Sequence, residues 1–313
     1  MLLCSILSSL VLLLAARSAK ACSVCRGGDD RFFLNGAQRL GNGSFILMGE
    51  YFSTSKTSAL AGHEEQTDRG LGTALSSIQQ QEVMFESHHQ QVFRILFLYG
   101  LTERITVLGS LPYAQNRIEE EGATETSKGF ADPEVIAIAD LFETEEGDFE
   151  LNATLGTRIP VGNGNQTDGS GQRLEQHLQA GTGAWGITAG VQAAHTMLAV
   201  PVFYGVSYQS NGSNSYDFSY GDVLRANVGT QVPVATGIRV LADLNLRYAA
   251  EDNQGSEVDP NSGGTVLYVS PGLRIALPAG LALRGQAQIP VVEDLFGVQD
   301  ENVSFQIGLS IEP

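Results

Sequence analysis

Eight arginines stand where one kind of surroundings would serve them all: Arg94, Arg104, Arg158, Arg225, Arg239, Arg247, Arg274 and Arg284. In most of these stretches the arginine alternates with apolar residues, which places it on the polar face of an extended segment. A guanidinium stays charged at any working pH and presents a planar fork of donors. Gathered around a narrow aqueous space, such fixed charge would admit anions more readily than cations. On the same registers the accompanying acids are Glu134, Asp140, Glu150 and Asp243. Pairing with them would instead make the arginines the filling of a polar interior.

Other reactive residue types are sparse. The five histidines, His63, His88, His89, His177 and His195, belong to no metal or nucleophile motif. Ser87 and His88 are adjacent, and in a strand adjacent side chains point to opposite faces. No catalytic residue, metal site or cofactor is therefore expected, and the chain does not read as an enzyme. The glycine-rich stretches 162–171 and 252–264 carry carboxylates but lack the spacing of a dedicated calcium loop. Of three cysteines, Cys22 and Cys25 form a Cys-Ser-Val-Cys pair. In an oxidising compartment that spacing suits a local disulfide, with lipidation of Cys22 as the alternative. Arg26 stands where a haem-attachment motif would need histidine.

The elements that would position the arginines come from strict alternation. Phe149, Leu151, Ala153, Leu155, Thr157 and Ile159 oppose Glu150, Asn152, Thr154, Gly156 and Arg158. Val240, Ala242, Leu244 and Leu246 oppose Arg239, Asp243, Asn245 and Arg247. Twelve such segments can be counted: 43–52, 87–99, 103–113, 131–142, 148–160, 185–196, 198–209, 221–233, 237–250, 264–277, 281–292 and 303–312. Many exceed the five or six residues of an ordinary strand and approach the 9–11 of a tilted membrane strand. Tight turns alternate with long polar connections at 53–86, 114–130, 161–184, 210–220, 251–263 and 293–302. The expected fold is all-β: a twelve-stranded antiparallel up-and-down barrel of the outer-membrane type, apolar outside and polar within. A soluble β-sandwich alternates similarly but rarely uses so many long strands.

Residues 1–21 have the pattern of a secretory signal, with an apolar Leu2–Ala16 core and small residues Ala19 and Ala21. Residues 22–42 are then expected to form a periplasmic segment, or to fold back as a plug, and 43–313 the barrel. The net charge of −17 sits mainly in connections such as Glu119-Glu120-Glu121. With no basic patch to meet phosphates, nucleic acid is not an expected partner.

Four motifs resemble one family. Tyr99-Gly100-Leu101-Thr102-Glu103-Arg104 leading to Leu111-Pro112-Tyr113 is similar to a hairpin of the outer-membrane barrels grouped with phenol meta-cleavage pathway proteins. Gly129 to Glu134, with Asp132-Pro133-Glu134, resembles that family's next motif. Ile159-Pro160-Val161-Gly162 and Gly181-Thr182-Gly183-Ala184-Trp185 are similar to its third and fourth. The resemblance implies a transport barrel for small, often aromatic or hydrophobic compounds. The combined expectation is an outer-membrane, porin-like channel that passively conducts a small aromatic or anionic solute, with a non-conducting structural or surface-binding barrel as the alternative. Outer-membrane lipid and the barrel-assembly machinery would be its partners. The 53–86 and 161–184 connections are expected to fold inward and narrow the pore.

Overall fold

The computed structural model describes residues 40–60, 84–120, 123–197, 200–297 and 299–312. The expected signal peptide, the Cys22/Cys25 pair and residues 61–83 lie outside them.

Twelve strands form the wall. They are β1 (Phe45–Leu60), β2 (Met84–Thr102), β3 (Ile105–Glu120), β4 (Ala123–Phe130 and Glu134–Glu143) and β5 (Phe149–Arg158). After a long connection come β6 (Gly186–Met197), β7 (Val200–Asn211), β8 (Val223–Ala235) and β9 (Ile238–Ala249). The last are β10 (Gly264–Leu277), β11 (Leu281–Leu295) and β12 (Gln299–Glu301 and Ser304–Ile311). Every strand pairs antiparallel with its chain neighbours, and β12 pairs with β1, so the sheet closes. Closure satisfies the backbone groups that an open edge would leave bare.

Alternation decides the two faces. On β2, His88, Gln90, Val92, Arg94, Leu96 and Leu98 are shielded, whereas Phe93, Ile95, Phe97 and Tyr99 are exposed. β9 repeats this, with Leu241, Asp243, Asn245 and Arg247 inside and Val240, Leu244, Leu246 and Tyr248 outside. The mid-strand outer surface is an apolar belt that only lipid or a partner could cover.

Two connections are shorter than the sequence suggested. β3 and β4 run on as one hairpin, in register from Tyr113↔Phe130 to Glu120↔Ala123, where a 114–130 loop was expected. β1 likewise extends through 53–60. These extensions are polar or small on their outer face (Ser53, Ser55, Gln91, Gln115, Thr126). They stand beyond the apolar belt, so they lack the contrast from which the spanning strands are recognised. β1, β2 and β3 hold 16, 19 and 16 residues against 10–13 for β5 to β9. At about 3.3 Å per residue and a tilt of about 40°, the wall rises roughly 13 Å higher on that side.

Candidate functional site

The interior is where polar side chains converge. Arg94 donates to Glu50 at 3.4 Å, both deeply buried. Arg247 pairs with Glu301, which also accepts from the Tyr268 hydroxyl, and the Glu301 N–H donates to Glu293 at 2.9 Å. Arg284 lies 3.8 Å from Asp243, which accepts from Gln286. Arg274 pairs with Glu312. Arg158 donates to Asn211 at 3.0 Å and to the Ala184 carbonyl, and Arg225 donates to Gln209 at 3.2 Å. Arg239 faces inward at the short-turn end and is solvent-exposed.

Arg104 is a correction. It is exposed in the tight turn between β2 and β3 rather than on the inner face. The turn extends to residue 104 and the strand begins at Ile105, so the expected strand started two residues too early. Glu50 and Glu301 were not recognised as inward acids. Arg247 and Glu301 meet across the lumen from β9 and β12, and no pattern within either strand announces that contact. His88 is inward and buried while Ser87 belongs to the outer face, so the two share no site.

One side of the interior is apolar. Leu96, Leu98, Leu108, Ile136 and Ile138, from β2 to β4, form a buried cluster joined by Leu40, Ile46 and Met48. The Leu40 N–H donates to Thr106 Oγ1 at 3.0 Å, and the Leu40 and Gly41 carbonyls lie against Gly100, where any Cβ would collide. The opposite side is looser. Gly190, Gln192, Ala194, Ser207 and Asn227, inward on β6 to β8, are half-buried and neutral. A further cavity of about 30 Å³, room for a water or two, lies between Gln90, Arg94, Ser110, Glu134 and Arg158.

The connection between β5 and β6 turns inward. Leu178 and Gln179 present their carbonyls to Asn116 Nδ2, each at 3.2 Å, and Ser127 also donates to Leu178. Ala180 packs with Phe52, Val92, Ala114 and Ala131. Asp132 holds this loop. Its carboxylate accepts from Gly162 N (2.9 Å), Thr182 N (2.7 Å) and Thr182 Oγ1 (2.6 Å). A Cβ on Gly162 would come within 2.6 Å of the Ala131 backbone, and one on Gly181 within 2.8 Å of Gly162. Three of the sequence motifs thus meet at one carboxylate. Beyond them, Asp168 accepts from Ser170 N, Ser170 Oγ and Gln172 N, which hold its carboxyl below its ordinary value. That carboxylate belongs to a surface turn. His177 packs edge-on against Phe218 and Tyr220 of the next long connection. Among the described residues no group of three or more His, Cys, Asp or Glu side chains is placed to hold a metal ion.

Comparison with known proteins agrees with this architecture. A family model described as "Putative MetA-pathway of phenol degradation" matches residues 83–295. The crystal structure of an outer membrane channel from Pseudomonas putida F1 gives a TM-score of 0.65 at 15% identity, over 88% of this chain and 97% of that one. The translocator domain of the autotransporter NalP from Neisseria meningitidis gives 0.49 at 12% identity, over 89% and 91%. The CymD monoaromatic hydrocarbon channel gives 0.46 at 9%, over 88% and 89%. At such identities the likeness is one of fold. No curated protein sequence matches.

Proposed function

The chain belongs to that phenol-degradation family, and on this footing we propose that it is an outer-membrane channel passing a small aromatic solute passively, in preference to an anion. The carrying observation is the inner wall: apart from Arg225, which donates to Gln209, its looser face is neutral, and Arg94, Arg247, Arg274 and Arg284 are matched by carboxylates. A selective field for anions needs surplus positive charge along the path, and matched pairs largely cancel beyond their own contacts. An uncharged ring crossing beside Gly190, Ala194 and Ser207 has no such field to overcome. In this reading Arg94, Arg158, Arg247, Arg274, Arg284 and Asp243 brace the wall, and Arg225 and Arg239 tune the solute path. The short turns face the periplasm and the long connections face outward. Export by the 1–21 signal, insertion by the barrel-assembly machinery and a Cys22–Cys25 disulfide complete the proposal.

A second reading, a non-conducting barrel, is favoured by the inward-seated loop around Leu178. The two are separated by purified protein in planar bilayers and in liposomes preloaded for uptake. Discrete current steps, with uptake of phenol-sized neutral aromatics exceeding that of benzoate-sized anions, support the channel. Silence in both assays, for wild type and for an Asp132→Ala variant with a released loop, supports the rival.

A further inference from the structure

The outer face of β1 to β4 is ordered in cross-strand rows. Tyr51, Phe93, Tyr113 and Phe130 lie opposite one another in a single row. Tyr51 and Phe93 have ring centroids 4.8 Å apart, and Tyr113 meets Phe130 edge-on at 5.5 Å. Such a row marks the level at which hydrocarbon gives way to headgroups. Directly beyond it runs Ser53, Gln91, Gln115 and Lys128, and beyond that Ser55, His89, Arg117 and Thr126. His89 is opposite Arg117, and Lys128 is diagonal to Arg117, so their Cβ atoms stand about 5–8 Å apart. All three side chains are exposed. Among the described strand residues, Arg117 and Lys128 are the two Lys or Arg side chains that point away from the lumen, in a chain of net charge −17. Arg117 also pairs with Glu119 at 2.5 Å, both partly exposed. A surface pair of that kind contributes little and yields to a stronger anion.

A second feature lies on the other side of the aromatic row. A lipid-facing groove of about 410 Å³ runs below it, bordered by Tyr51, Phe93, Tyr113, Phe130 and Ile307 and floored by Gly49. Nothing lies within 4 Å of where a Gly49 Cβ would be, so the missing side chain is itself the depression. Cations above an aromatic boundary and an apolar trough beneath it match the two halves of one amphiphile.

We propose that this face is a specific site for a phosphorylated, multiply acylated lipid of the leaflet facing the long connections. Its phosphate sits on His89, Arg117 and Lys128 with Gln91 and Gln115 as neutral donors, and an acyl chain lies over Gly49. The proposal rests on the outer-membrane reading above. Juxtamembrane cations each strengthen anionic-lipid binding several-fold.

The test uses full-length protein purified in detergent, with diphosphorylated lipid A, its dephosphorylated form and inorganic phosphate as probes, read by native mass spectrometry. Wild type should retain the phosphorylated lipid at least about tenfold better than the dephosphorylated one, and inorganic phosphate weakly. The R117Q/K128Q double variant should abolish that preference, and Gly49→Val should weaken lipid retention several-fold while leaving the preference for phosphate. Unshifted heat-modifiable migration certifies that each variant still forms a barrel. Equal retention by wild type and both variants, or no preference for phosphate, overturns the site. Failure of wild type to float with vesicles overturns the membrane reading on which the site rests, whereas insertion without lipid preference removes the site alone.

Discussion

Single side chains inside the barrel divide into those that brace it and those that face its open path. Arg247 and Glu301 are both almost fully buried. Removing one partner of such a pair leaves an uncompensated charge and costs about 3–5 kcal/mol. Arg247→Ala should therefore lower the barrel's unfolding midpoint in urea strongly, and more than Arg239→Ala, which removes an exposed side chain and should change stability by about 0.5 kcal/mol or less. The reverse ranking should hold for ion preference: Arg239→Ala shifts the reversal potential in a salt gradient toward cations, and a reversal potential that does not move would remove Arg239 from the path. Most of this arrangement was legible because inward arginines alternate with apolar neighbours. Arg104 was misplaced because a turn residue next to a strand carries the same alternation. Glu50 escaped notice because it follows Gly49, where the outward side chain that would define its face is missing.

Among elements, the loop between β5 and β6 depends on Asp132 at the break in β4. Asp132→Ala removes the acceptor of three donors, of which the buried Thr182 N–H is left stranded at a cost of about 1–3 kcal/mol, while the Thr182 hydroxyl keeps the Ala184 carbonyl. The expected outcome is a loop that cleaves faster in limited proteolysis between residues 159 and 185, with a barrel that remains folded and passes larger currents. Gly162→Ala should release the loop similarly, since its Cβ meets rigid backbone. An unchanged cleavage rate in both variants would show that Asn116 and Ser127 hold the loop without the carboxylate. The sequence marked these motifs through their resemblance to a family. Their convergence depends on a contact spanning 50 residues between Asp132 and Thr182, which no local pattern encodes. The β3–β4 hairpin was missed for a different reason: beyond the lipid, a strand with polar side chains on its outer face looks like a loop.

For the whole molecule, the number and order of strands followed from alternation and from the rhythm of short and long connections, because a closed wall between oil and water imposes both. What could not be read was how full the interior is, since filling depends on which side chains meet across it. Closure itself makes a prediction. The native protein should migrate faster unboiled than boiled, and deletion of 304–312 should eliminate the faster band by leaving β1 and β11 as bare edges. The seam has a consequence for biogenesis. Thr54 meets Ser304 and Lys56 meets Gln299, partners separated by 250 and 243 residues. Loop-closure entropy must be met before such distant contacts return anything. A folding chain can accordingly gain neither the seam nor the Arg247–Glu301 brace until β12 docks. Assembly of this wall therefore has a natural checkpoint at the docking of β12, which completes the seam and the brace in one step.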